Sequence, residues 1–141
     1  MTIHLLRLAV GAESLESMRA WRAEHQIDWQ GRRVVPTYTK RPPNRQAELL
    51  DGGCIYWVVK GVIRCRQPFA GFDMVADTDG TSYCRMLMDP ELIETAPVPK
   101  RPFQGWRYLR PEDAPPDLGQ GGGGDELPAH LLAELRELGL A

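Results

Sequence analysis

The chain reads as an α+β protein built on a mixed or barrel-like, mainly antiparallel sheet with two or three helices. Three observations predict this. Strand-like runs dominate the middle of the chain, between Arg33 and Met88. Asp79-Gly80 lies between two of those runs, which is a strong hairpin signal. Helical periodicity is confined to short segments outside them. A length of 141 residues falls in the single-domain range and is enough to bury a core. The expected organisation is one α+β domain over 1–118, a Gly-rich linker over 119–126 and an amphipathic helix over 127–139.

Ile3 to Val10 reads as a first strand closed by Gly11. Ser14 is placed to cap a helix running to about His25, with Leu15, Met18 and Trp21 as its apolar stripe. Arg33 to Thr39 is β-branched and reads as a second strand, ended by Pro42-Pro43. Asn44 is the expected cap of a short helix, Arg45 to Leu50, which Gly52-Gly53 terminates. Cys54 to Phe69 is strand material, and Lys60-Gly61 in its middle favours a bulge or sharp bend, with a tight hairpin as the less favoured alternative. Phe72 to Ala76 and Thr81 to Met88 form the Asp-Gly hairpin. Pro97, Pro99 and Pro102 keep the chain extended toward a last strand or ordered segment, Phe103 to Leu109. Beyond Pro111 the Gly and Pro content marks a linker, and Leu127, Leu131, Leu135 and Leu138 stripe the terminal helix.

Charge is distributed unevenly. Residues 1–31 hold 3 bases and 4 acids, residues 32–110 hold 13 and 8, and residues 111–141 hold 1 and 7. A basic body followed by an acidic tail fits either an anion-binding surface or ordinary solvated charge. Three cysteines, an odd number without metal-ligand spacing, argue against a disulfide framework and fit a reducing cytoplasm. Arg7 interrupts the first apolar run, which is too short for a signal sequence. No apolar run approaches the roughly 20 residues of a membrane span.

Most chemical motifs fail on context. Gly119, Gly121 and Gly124 spell GxGxxG, but acidic, Pro-rich neighbours make it a linker and not a dinucleotide loop. Asp77, Asp79 and Gly80 lack the Glu a calcium loop needs, since Met88 stands there. His4, His25 and His130 fall on three different elements, so no metal site is argued, and each is expected at the surface or a helix end. Cys65 lies between Arg64 and Arg66, yet strand alternation sends it to the opposite face as a buried structural thiol. No cofactor motif stands out.

What remains is a basic-aromatic set. Trp57, Lys60, Arg64 and Arg66 come from GGCIYWVVKGVIRCRQ, Trp106, Arg107 and Tyr108 from RPFQGWRYLR, and Arg41 and Arg45 precede the central block. Guanidinium groups hold phosphate in a fork and aromatic faces stack bases. Alternation places Arg64 and Arg66 on one face, and Trp106 and Tyr108 opposite Arg107. The competing expectation is that the tryptophans are core and the arginines pair with Asp73, Glu91 or Glu94.

The blocks LLDGGCIYWVVKGVIRCRQ and FQGWRYLRPEDAPPDL, with the start MTIHLLRLAVGAES, resemble an uncharacterised bacterial family, domain of unknown function 1489. The resemblance covers most of residues 1–118 and treats the linker and last helix as variable extension. It implies a bacterial cytoplasmic setting and no activity. A short helix, glycine and an Arg-bearing strand block are also similar in outline to PUA-like barrels, including the ASCH and EVE domains, which bind RNA or modified bases. Three readings follow. The first is a module binding RNA, a nucleotide or another anionic planar ligand. The second is an amidohydrolase-type enzyme using Thr39, Lys40, Lys60 and Glu48. The third is an interaction module, homo-oligomeric or otherwise, using the terminal helix.

Overall fold

The structure is a computed structural model that describes residues 2–118. The expected linker, the terminal helix, His130 and the GxGxxG glycines lie outside the described residues. Strands β1 (His4–Leu8), β2 (Ile27–Trp29), β3 (Arg32–Thr39), β4 (Cys54–Val59), β5 (Val62–Ala76), β6 (Ser82–Met88), β7 (Ile93–Pro99) and β8 (Trp106–Leu109) form one mixed, mainly antiparallel sheet. Its helices are α1 (Leu15–Glu24) and α2 (Gln46–Leu50), with a 3-10 turn at Pro111–Asp113. The β1–β4 pairing is parallel and every other ladder is antiparallel.

The sheet is open, where a barrel-like form was expected. Its order runs β2-β3-β6-β5-β4-β1-β8, and β7 joins β5 off this path. The reason lies in β5. Its first part pairs with β4 up to Cys54↔Pro68, and its second part pairs with β6 from Phe69↔Met88 to Ala76↔Ser82. A register shift between Phe69 and Gly71 marks the bend. Gly71 has no side chain there because the Trp29 ring occupies the space a Cβ would take. One strand thus serves two sectors that face each other. Between them packs the main core: Leu5, Ile55 and Trp57 from one sector, Cys84, Met86 and Met88 from the other, with Leu15 and Met18 of α1. Behind the first sector a second core holds Leu6, Tyr56, Val58, Ile63 and Leu109.

Local chemistry explains the departures from sequence expectation. Lys60-Gly61 forms a tight two-residue hairpin and not a bulge: Val59 pairs with Val62, and both turn residues have positive φ, 51° and 83°. That is the turn whose twist suits antiparallel strands. Gln30-Gly31 (48° and 82°) makes the same turn between β2 and β3, a hairpin the sequence reading did not anticipate. The bulge falls instead at Arg64, which has no partner while Trp57 faces Cys65 and Val58 faces Ile63. Simple alternation therefore does not carry Arg64 and Arg66 to a common face.

Helix α1 begins as expected, with Ser14 and Ser17 in a reciprocal capping box. Its buried stripe is Leu15, Met18 and Arg22, while Trp21 is 46% exposed. A cation replaces the expected aromatic because positions i, i+3 and i+7 share a helix face. In α2 the cap position is Arg45, not Asn44, and no side chain caps it. His4 is buried, contrary to the surface expectation, because its Nδ1 accepts the Cys54 N–H at 3.0 Å.

Gly53 joins α2 to β4 where the chain is tightest. A Cβ there would meet the carbonyl oxygens of Ile3 and Leu49. Neither backbone can withdraw, since Ile3 N–H donates to Glu48 O and Gly53 N–H donates to Leu49 O. Gly53→Ala should therefore destabilise the protein by about 1–3 kcal/mol, the usual cost of overpacking. Urea unfolding checks this, and an unchanged midpoint would refute it.

Candidate functional site

An open sheet leaves a seam. Along residues 35–39, β3 pairs with β6 on one side, whereas its partnership with β2 ends at Val34. The other edge of this stretch faces the β1 side of the structure. Arg7 of β1 spans the gap with its side chain, donating from Nη1 to Thr37 Oγ1 (3.2 Å) and from Nη2 to Tyr38 O (2.9 Å). Pro36, which has no N–H to leave unpaired, suits this edge.

A pocket of about 500 Å³ occupies the seam. Arg7 to Ala12, Pro36 and Thr37, Trp57, and four residues of α1 (Ser17, Met18, Trp21 and Arg22) line it. Among the described residues, Asp and Glu are absent from that lining. Arg22 is only 8% exposed. Its Nε donates to Gln67 Oε1 (3.1 Å) and its Nη1 to Met18 O (3.5 Å). The guanidinium lies 5.1 Å from the Trp57 ring centroid and 5.7 Å from that of Trp21. Gln67 is fully buried and organises this floor. Its Oε1 also accepts the Trp57 indole N–H (3.1 Å), and its Nε2 donates to Asp89 O (2.7 Å). Among the described residues every buried side-chain nitrogen and oxygen has a hydrogen-bond partner. Arg22 Nη2 makes no such bond, so it is not fully buried, and Arg22 is one of the residues lining the pocket. Burial pulls both the Arg7 and Arg22 guanidiniums below their ordinary pKa. Both remain charged, because arginine is not deprotonated in proteins. At the rim, Trp21 stacks on His25 at 3.8 Å and 7°.

Of the nine residues the sequence nominated, Trp57 alone lines this pocket. Arg41 lies next to it: its guanidinium stacks 3.9 Å from the Trp106 centroid and donates to Trp106 O, and Trp106 is the strand partner of Arg7. Arg45 is held by Glu48 through two contacts (2.8 and 2.6 Å) and lies over Tyr108, whose hydroxyl accepts from the Asn44 and Arg45 N–H groups. Lys60 pairs with Glu13 (3.2 Å). Arg107 lies over Phe103, on the face opposite Trp106 and Tyr108, as alternation predicts. Arg66 faces away from the seam and grips Asp117 through two contacts (2.7 and 2.8 Å). Asp73 pairs with Arg85 rather than with a nominated arginine. Thus Lys60 and Glu48, half of the hydrolase set, are each engaged in separate ion pairs. Cys65 is buried opposite Arg66, and burial pushes its thiol up to about 11.

Arg7 and Arg22 escaped the sequence reading although both left a trace. Arg7 is the lone cation in an otherwise apolar strand run, and Arg22 falls on the helix stripe seven residues after Leu15.

A family model matches residues 5–141. The chain belongs to that family, described as protein of unknown function (DUF1489). The match runs through residues 119–141, so the C-terminal stretch is part of the family's common length and not an extension outside it. No curated protein and no solved structure matches significantly. The outline similarity to PUA-like barrels therefore gains no support. Among the described residues no helix is long and apolar enough to cross a membrane.

Two outcomes follow from these contacts. Gln67→Leu would strand the buried Arg22 and Trp57 N–H donors and should cost about 2–4 kcal/mol, near the summed penalty for two unsatisfied groups. Urea unfolding measures it, and a loss below about 1 kcal/mol would refute the network. Asp117 is held below the usual carboxylate range by hydrogen bonds from Arg66. Such a group stabilises fully above its unfolded pKa of about 4 and loses that contribution as pH falls through the lower folded value. Asp117→Asn should therefore lower stability at neutral pH and flatten the decline below about pH 4. Parallel acid limbs for variant and wild type would contradict this.

Proposed function

We propose that this protein binds a small planar ligand carrying an acidic group, of the nucleotide class, in the seam pocket. One observation carries the reading: two arginines, one of them buried, line a single cavity whose lining, among the described residues, contains no carboxylate. A buried charge without a partner is costly, so natural proteins pair it or reserve it for a ligand. Two half-buried arginines elsewhere are already paired. Arg66 has Asp117, and Arg85 has Asp73. The volume falls in the range of small-molecule sites. Leu8, Ala9, Val10, Ala12 and Pro36 provide an apolar wall, and Trp21 an aromatic rim. The nucleotide reading made from the sequence thus keeps its chemistry but moves to Arg7 and Arg22. Arg41, stacked beside Arg7 on Trp106, extends the basic surface outward.

Calorimetric titration with the pooled common ribonucleotides tests the reading. Wild type should bind, and raising the ionic strength should weaken binding as charge screening requires. Arg7→Gln and Arg22→Gln should each lose about tenfold or more, the scale of a lost charge-assisted contact. The thermal midpoint reports whether each variant is folded, and Arg7→Gln, at the less buried position, is the milder probe. Absence of wild-type binding at low salt, or unchanged affinity in both folded variants, would overturn the proposal.

A further inference from the structure

The same pocket specifies the kind of acidic group, provided the nucleotide reading above holds. A guanidinium carries five N–H donors in a planar fork. Arg7 uses one on Thr37 Oγ1 and one on Tyr38 O. Arg22 uses Nε on Gln67 and one Nη1 hydrogen on Met18 O. Each therefore keeps about three donors uncommitted. Neither forms an ion pair with a carboxylate among the described residues, whereas Arg32, Arg33, Arg45, Arg66, Arg85 and Arg110 all do. Two positive charges thus line one cavity without internal compensation.

An internal phosphodiester carries one negative charge and leaves two oxygens free. A terminal phosphate monoester carries close to two charges at neutral pH and presents three acceptor oxygens. The second matches two forks in both charge and acceptor number, since fork–anion contacts are paired N–H···O bonds. We propose that the seam pocket selects a terminal phosphate monoester, as found on a mononucleotide, over an internal phosphodiester. The apolar wall at Leu8–Val10 and Pro36 then borders the sugar and base, and the phosphate lies toward α1 and β1.

Affinity is measured by calorimetry on the full chain for three probe sets. These are the common 5′-ribonucleoside monophosphates, their 3′,5′-cyclic forms, and one short RNA made with and without a 5′-phosphate. Measurements at about pH 7.5 and about pH 5 bracket the second phosphate ionisation near 6. The 5′-monophosphates should bind at least about tenfold tighter than the cyclic forms at the higher pH, and the gap should shrink at the lower pH as the dianion gains a proton. A 5′-phosphate that strengthens RNA binding to the level of free mononucleotides would locate the monoester on chain ends. Equal affinity for monophosphate and cyclic forms would overturn the monoester proposal while leaving the nucleotide site intact. RNA binding indifferent to its 5′-phosphate and tighter than any mononucleotide would also overturn it. If none of the probes binds, the site reading falls with it. In Arg7→Gln and Arg22→Gln the preference for the monoester should collapse toward the cyclic form, a change in ratio that loss of folded protein cannot mimic.

Discussion

The bend in β5 is the constraint on which the rest of the structure depends. A fifteen-residue strand cannot stay in register with β4 along its whole length, because β4 has six residues. At Pro68 to Gly71 it leaves that ladder and continues against β6. The register shift and the missing side chain at Gly71 allow the turn, and the Trp29 ring fills the space a Cβ would take. Two sheet sectors then face each other across a shared core, so both can bury apolar side chains without a layer of long helices. The arrangement also determines where the sheet cannot finish. Among the described residues β2 and β8 end the strand order, and residues 35–39 of β3 face β1 without a ladder between them.

That unclosed seam gives Arg7 and Arg22 their character. A backbone ladder there would have satisfied the edge of β3. Instead the guanidinium of Arg7 serves the Tyr38 carbonyl, and α1 brings Arg22 over the gap. Gln67 stabilises the result from beneath. Because an amide carbonyl can accept two donors, one buried Oε1 holds both Arg22 and Trp57 in position. Among the described residues the cavity holds no acidic group opposite the two arginines.

Several other cations of the described residues are paired with carboxylates. Arg66 and Asp117 show the contrast most directly. Asp117 arrives on the C-terminal segment, which also pairs back through Thr95↔Asp117 and through Ala96 N–H to Pro116 O. The ion pair belongs to the docking of that segment onto the second core and is structural. His4, one strand away, accepts the Cys54 N–H on the same side, and burial keeps it from taking a proton readily. Arg66 thus spends its charge on a carboxylate of the chain, whereas Arg7 and Arg22 are held only by neutral acceptors beside the cavity.

Local features were legible in the sequence because neighbouring residues decide them. The Ser14 cap, the Asp77–Gly80 turn, the strand runs and the burial of Cys65 all follow from short-range stereochemistry and alternation. Errors appeared where two local preferences competed. Lys60 adopts positive φ because the following glycine and the strand twist favour a tight hairpin, which displaced the bulge to Arg64. The family, too, was recognisable from its sequence blocks. What only the tertiary structure decided was which charges have partners. Arg66 meets Asp117 across 51 positions, and Arg22 meets Gln67 across 45. Alternation along a strand carries no information about such distant encounters. The sequence determined that basic and aromatic groups would lie on sheet faces. The bend of β5 and its open seam decided that Arg7 and Arg22, and not the arginines clustered in sequence, would line one cavity.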